Sequence, residues 1–166
     1  MAPDAPFSDG FHMPSCTSST RSDSTSWQAR TLASIRGAGD SARDAQHRVA
    51  QIEAELPTLQ RDSANVLEMS TEGTTIIADY RGRELRRLQA TFLGESGRAE
   101  ETYYFDPSLI QVNRRESVYD APLSGQIEQS TARRYVFLEW KEPTHLRDSL
   151  MANARALLAA LAQARQ

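Results

Sequence analysis

Downstream of Ser63 the apolar residues stop recurring every three or four positions and begin to alternate, in short runs that lie close together. Thr75 to Tyr80, Leu85 to Leu93, Ala99 to Phe105, Leu109 to Tyr119 and Arg133 to Trp140 are rich in β-branched and aromatic residues, as strands require. Between them stand Arg81-Gly82-Arg83, Gly94-Glu95-Ser96-Gly97, Asp106-Pro107-Ser108 and Asp120 to Gly125. A parallel crossover needs a dozen or more residues, so separators this short join antiparallel neighbours. The spacing therefore predicts an antiparallel β-meander of about five to six strands, the extra one being a short strand around Gln126 to Gln129.

Alternation also assigns the faces. Ile76, Ala78 and Tyr80 share one side with Leu88, Ala90 and Phe92 and with Ala99, Tyr103 and Phe105. The opposite side mixes Thr91, Thr102, Gln111, Asn113 and Arg115 with Leu93, Tyr104 and Leu109, which predicts one packed face and one partly solvated face.

Two helices flank this region. The first begins at Asp40 or Ser41, where Ser41-Ala-Arg-Asp44 has capping-box spacing, and carries Ala42, Ala45, Val49, Ile52, Leu56 and Leu59 at alternating steps of three and four. Pro57 lacks the amide that the helix needs and clashes with the preceding turn, so the helix should end or kink near Glu55 or Leu56, leaving Arg43, Arg48 and Glu55 on the wet side. The second starts at Thr144, after Pro143, and presents Leu146, Leu150, Met151, Ala154, Leu157, Leu158 and Leu161 as one stripe. Either the two lie on the same sheet face or the C-terminal one packs partly on a partner. The fold class is thus α+β, a meander with an N-terminal and a C-terminal helix packed on it.

Composition sets the domain count. Of 65 hydrophobic residues 22 are alanine, so 43 larger apolar side chains remain, enough for one modest core. Most lie from Val66 onward. Between Met1 and Ser26, fourteen residues are Ser, Thr, Pro or Gly, too polar a segment to offset its ordering entropy. The reading is a flexible leader over 1–39, with a short helical piece between Trp27 and Arg36, followed by one domain over 40–166.

Several functions lose support on chemistry alone. Nineteen Lys+Arg against twenty-two Asp+Glu, a net charge of −3, form no basic stripe for a nucleic-acid backbone. No apolar run reaches the roughly 18 residues of a membrane span. Cys16, the single cysteine, excludes an internal disulfide, and Asp4, Asp9 and His12 break the apolar stretch that lipidation at Cys16 would need. It reads as a free thiol, with intermolecular pairing as the alternative. His12, His47 and His145 are too scattered to chelate a metal, and no nucleophile elbow, phosphate loop or dinucleotide fingerprint occurs. Glu100 and Glu101 point to opposite faces of a strand, so they make no acid–base pair. No catalytic residue, cofactor or metal is expected.

Two loops remain as candidate binding elements. Gly94-Glu95-Ser96-Gly97-Arg98 offers a carboxylate and a guanidinium, Glu95 and Arg98, that can pair across a turn or grip a ligand. Tyr119-Asp120-Ala121-Pro122-Leu123-Ser124-Gly125 is stiffened by Pro122 and by an Asx-type bond from Asp120, and holds Tyr119 at an exposed corner.

The run from Arg83 to Asp106, with Leu109-Ile-Gln-Val112, Tyr119 to Gly125 and Tyr135-Val-Phe-Leu-Glu-Trp140, resembles an uncharacterised family of small bacterial exported proteins. The resemblance covers roughly Leu56 to Leu161. It implies a preceding helix, a C-terminal helix and a periplasmic or lipoprotein-like location, but no activity. Without a signal peptide in the chain the alternative location is cytoplasmic. The leading functional expectation is a non-enzymatic, envelope-associated binding or inhibitor-like domain that contacts an envelope protein. The alternatives are a small-ligand protein or enzyme with a pocket between sheet and helices, near Tyr103, Tyr104 and Arg114, and a weak homodimer through the C-terminal helix.

Overall fold

The computed structural model describes residues 42–137 and 144–165. They belong to one structural unit, Arg36–Gln166. The leader over 1–39, the helix cap at Asp40 or Ser41, Cys16 and the end of the last expected strand, at Leu138 to Trp140, lie outside the described residues.

Helix α1 runs over residues 42–55 and stops where Pro57 arrives. A 3-10 turn at Leu56–Thr58 follows, with the proline in its first turn and the Thr58 hydroxyl donating to the Glu55 carbonyl at 2.8 Å. The sheet then unrolls in chain order: β1 Gln60–Val66, β2 Thr74–Arg81, β3 Glu84–Gly94, β4 Gly97–Phe105, β5 Leu109–Tyr119 and β6 Ile127–Val136. Every neighbour is antiparallel and the spatial order is β1-β2-β3-β4-β5-β6. Helix α2, Thr144–Gln163, closes the fold.

The α+β meander with two helices is as expected, with three revisions of its parts. The stretch that continues the first helix to Leu59 gives way at once to β1, a strand whose sequence Gln-Arg-Asp-Ser-Ala-Asn-Val carries little apolar alternation. The separate short strand at Gln126 to Gln129 and the run from Arg133 form one strand, β6, of ten residues. Finally, the helices cover opposite faces. Leu150, Ala154, Leu157 and Leu161 of α2 bury against Ile76, Ala78, Leu88, Ala90, Tyr103, Phe105, Leu109 and Val112. Ile52 and Val49 of α1 pack on Tyr104 and Ile110, on the other side. Burying Leu150, Leu157 and Leu161 stabilises the fold by about 2 kcal/mol each, and the stripe of α2 is thereby spent on the chain's own core.

A bulge explains why Leu109 joins the packed face rather than the mixed one. Tyr104 pairs with Gln111 but Phe105 pairs with Leu109, so Ile110 is one residue extra in β5 and the parity flips there.

Candidate functional site

With α2 on one face and α1 on part of the other, the register lays the second face out in rows across the strands. One row reads Arg61, Asp79, Arg87, Tyr104, Gln111 and Val136. The next reads Ser63, Ile77, Gln89, Thr102, Asn113 and Arg134, and the third Asn65, Thr75, Thr91, Glu100, Arg115 and Ala132.

The first row lies under α1 and is closed by charge as well as by Ile52. Asp79, fully buried, accepts from Arg61 Nε at 2.8 Å and from Arg87 Nε at 2.9 Å. Arg87 Nη1 reaches both carboxylate oxygens of Glu53 at 3.2 Å, and the Tyr104 hydroxyl donates to Glu53 at 2.7 Å. Burial, then the hydrogen bond to Glu53, pushes the Tyr104 phenol well above its ordinary value. Beside this cluster Arg86 holds Asp106 at 2.7 Å, and Glu55 pairs with Arg81. Glu55 therefore turns toward the β2–β3 corner and is only partly exposed, where the wet side was expected.

The other two rows stay open and floor a groove of about 670 Å³. Its base is rich in neutral hydrogen-bonding groups, the hydroxyls of Thr75, Thr91 and Thr102 and the amides of Gln89 and Asn113, with Ile77, Ala90 and Ala132 as its apolar members. Arg115 and Arg134 stand at its β5–β6 side, both exposed, and no side-chain partner for either exists among the described residues. They are diagonal neighbours, for Arg115 sits opposite Ala132 and Arg134 opposite Asn113, which places their backbones about 7–8 Å apart. Glu100, the acid on this face, is 3.7 Å from Arg98. The lining sets four arginines, Arg114, Arg115, Arg133 and Arg134, against two carboxylates, Glu100 and Glu101, a local excess of positive charge on a chain whose net charge is −3. No His, Cys or Asp lines the groove. Such a surface can hold an anion by charge and polyvalent hydrogen bonding.

Glu101, on the α2 face, is used differently. It is buried, accepts from the Tyr103 hydroxyl at 2.5 Å and lies 3.3 Å from Arg114. Burial and then Glu101 raise the Tyr103 phenol strongly. On that face Leu150, Ala154, Leu157 and Leu161 of α2 pack with Tyr103 and its neighbours.

The four residues singled out from sequence fall together at one end of the sheet. Glu95 forms the β3–β4 turn with Ser96, and Leu123 N–H donates to the Glu95 carbonyl at 2.7 Å while Tyr119 N–H donates to the Ser96 carbonyl at 2.9 Å. The two loops are therefore one structural unit. Arg98 turns to Glu100 rather than to Glu95. Asp120 accepts from the Ser124 hydroxyl, and Ser124 Oγ accepts from Gln126 N–H at 3.1 Å, so the carboxylate is occupied inside its own turn. Tyr119 is half-buried. The groove residues carried a legible signal, since period-two alternation places Thr91, Thr102, Asn113 and Arg115 on one face. What sequence could not show was that α1 covers only the Tyr104 row.

No protein-family model, curated protein or solved structure matches the chain, so the reading of the site rests on its geometry. Among the described residues no helix is long and apolar enough to cross a membrane.

Proposed function

We propose that this chain is a non-enzymatic binding domain of the bacterial cell envelope, and that the open half of the sheet seats a ligand bearing a carboxylate or phosphate on a hydroxyl-rich body. The observation that carries this is the pair of exposed guanidinia, Arg115 and Arg134, without side-chain partners among the described residues, over a floor of threonine hydroxyls and side-chain amides. Paired guanidinia suit oxyanions because their planar forks match carboxylate and phosphate geometry. The neutral floor would satisfy sugar-like hydroxyls. The envelope location is supported by the resemblance alone.

Amide-resolved NMR titrations with glucuronate, glucose 6-phosphate and glucose test the site. The two anions should shift Thr91, Thr102, Asn113 and Arg115 while glucose leaves them in place, and Arg115→Gln with Arg134→Gln should abolish the shifts. Equal response to all three sugars, or none to any, refutes the anionic groove. A fusion of the full chain to a reporter that is active only after export checks the location, and a silent fusion refutes it.

A second reading has its own observation. The joined loops present Leu123, 69% exposed, and nearby Val118 and Ile127 are also exposed, which suits contact with a partner protein. In that reading Leu123→Asp abolishes capture by the partner while leaving the sugar titration unchanged.

A further inference from the structure

The two edges of the sheet are treated very differently. β1 is short, α2 lies against it, and its side chains are engaged: Asp62 with Arg165 at 2.6 Å, Arg61 with Asp79 at 2.8 Å, Asn65 with Thr75 at 2.9 Å. β6 has ten residues, and its first eight, Ile127 to Arg134, are exposed. Among the described residues α2 makes its main strand contacts with β1 and β2, and in β6 Tyr135 packs against the core that α2 joins. An edge strand presents a row of unpaired N–H and C=O groups to any extended chain, and natural edges are blunted by charged side chains, lysine above all, by proline or by bulges. β6 contains no proline or lysine, and its irregularity sits at the Val118/Tyr119 step, which leaves Gln129–Val136 regular.

We propose that this edge takes an extended acidic segment of a partner protein as a seventh strand. Charge complementarity selects the occupant. Arg133 and Arg134 are consecutive, so they point to opposite faces, Arg133 beside Arg114 and Arg134 beside Asn113. Neither has a side-chain partner among the described residues. Consecutive residues of an added strand also alternate between faces, so two adjacent acids meet both arginines at once. Main-chain hydrogen bonds supply the affinity and the acid pair sets the register. A second copy of this chain fits less well, because it would bring a strip carrying Arg114, Arg115, Arg133 and Arg134 against its like. The inference shares Arg134 with the groove but differs in its demands: the groove needs no strand addition, and the added strand does not need Arg115.

The full chain is titrated by fluorescence anisotropy with a labelled peptide of alternating Val and Thr around a central Glu-Glu, and with its Gln-Gln counterpart. The acidic peptide should bind about tenfold or more tightly than the neutral one. Arg133→Glu with Arg134→Glu should reverse the preference in favour of a Lys-Lys peptide, which also shows that the variant is folded. N-methylation of alternate peptide amides should abolish binding in one phase and spare it in the other, because only half of the N–H groups of an added strand face β6. Arg115→Gln should leave peptide binding intact while removing the groove response. Equal binding by both methylation phases, indifference to charge reversal, no binding of the acidic peptide, or a dimer mass by light scattering with β6 amides already protected from exchange would each overturn the proposal.

Discussion

Asp79→Ala removes the one fully buried carboxylate of the α1 face, and the structure sets the size of the effect. Asp79 receives two guanidinium Nε donors, at 2.8 Å from Arg61 and 2.9 Å from Arg87. The side chain of Arg61 is 51% exposed and regains water when its partner goes, so its loss costs little. Arg87 is 9% exposed and does not. Removing one member of a buried pair costs about 3–5 kcal/mol, because the survivor stays buried and uncompensated. Glu53 still contacts Arg87 at 3.2 Å, which puts the expected loss at the lower end, about 3 kcal/mol. With a urea slope of about 2 kcal/mol per molar the midpoint falls by about 1.5 M, read by far-UV circular dichroism. Asp79→Ala combined with Arg87→Met should recover most of that loss, since the orphaned charge is gone, giving a coupling energy of about 2 kcal/mol. A single variant within about 1 kcal/mol of the parent, or a double variant that is simply additive, would refute the claim that a desolvated charge pair fastens this region.

Three further outcomes follow from the packing. Gly97→Ala places a Cβ 2.3 Å from the Ser117 carbonyl oxygen, a backbone atom in the paired strand, and should cost about 2–3 kcal/mol in thermal melts. Gly82→Ala, at φ +61° with open space around it, should cost only about 1 kcal/mol for the left-handed backbone, so equal effects would contradict the close-approach reading. Tyr103 and Tyr104 have phenols raised above the ordinary 10.0, so the fold keeps protons that the unfolded chain releases: their contribution is complete below about pH 10 and declines as pH rises beyond it, by about 1.4 kcal/mol per unit for each. Urea midpoints between pH 9 and 11 should show that decline, and Tyr104→Phe should make it shallower, leaving the share of Tyr103; a flat parent profile contradicts the burial argument. Arg165→Ala breaks an exposed bridge to Asp62 and should change stability by less than about 1 kcal/mol by the same assay.

The parts of the fold legible in sequence were those whose physics is local. Leu109 to Tyr119 emerges with the bounds that its alternation predicts, and Pro57 ends α1 where its missing amide requires. β1 was not legible because an edge strand needs little apolar alternation: its polar side chains are anchored by Asp79 and by Arg165, which lie far away in the chain. The side of the sheet that each helix chooses is likewise a long-range matter, settled by Ile52 meeting Tyr104 and Ile110. The loops around Glu95 and Asp120 were recognisable as turns, but their mutual hydrogen bonds belong to tertiary structure. The groove followed from the same choice, since only a helix placed on the second face leaves two of its rows bare.

Because strand order equals chain order, each hairpin can pair with its predecessor as it leaves the ribosome, and the sheet assembles through short loop closures. The cover for its apolar face arrives last, since α2 is the final element and packs against β1 and β2, the first strands made. Until then Ile76, Leu88, Tyr103 and Val112 face water. A chain stalled or cut before residue 150 should therefore hold a paired but uncovered sheet, and be the species that chaperones bind and that aggregates.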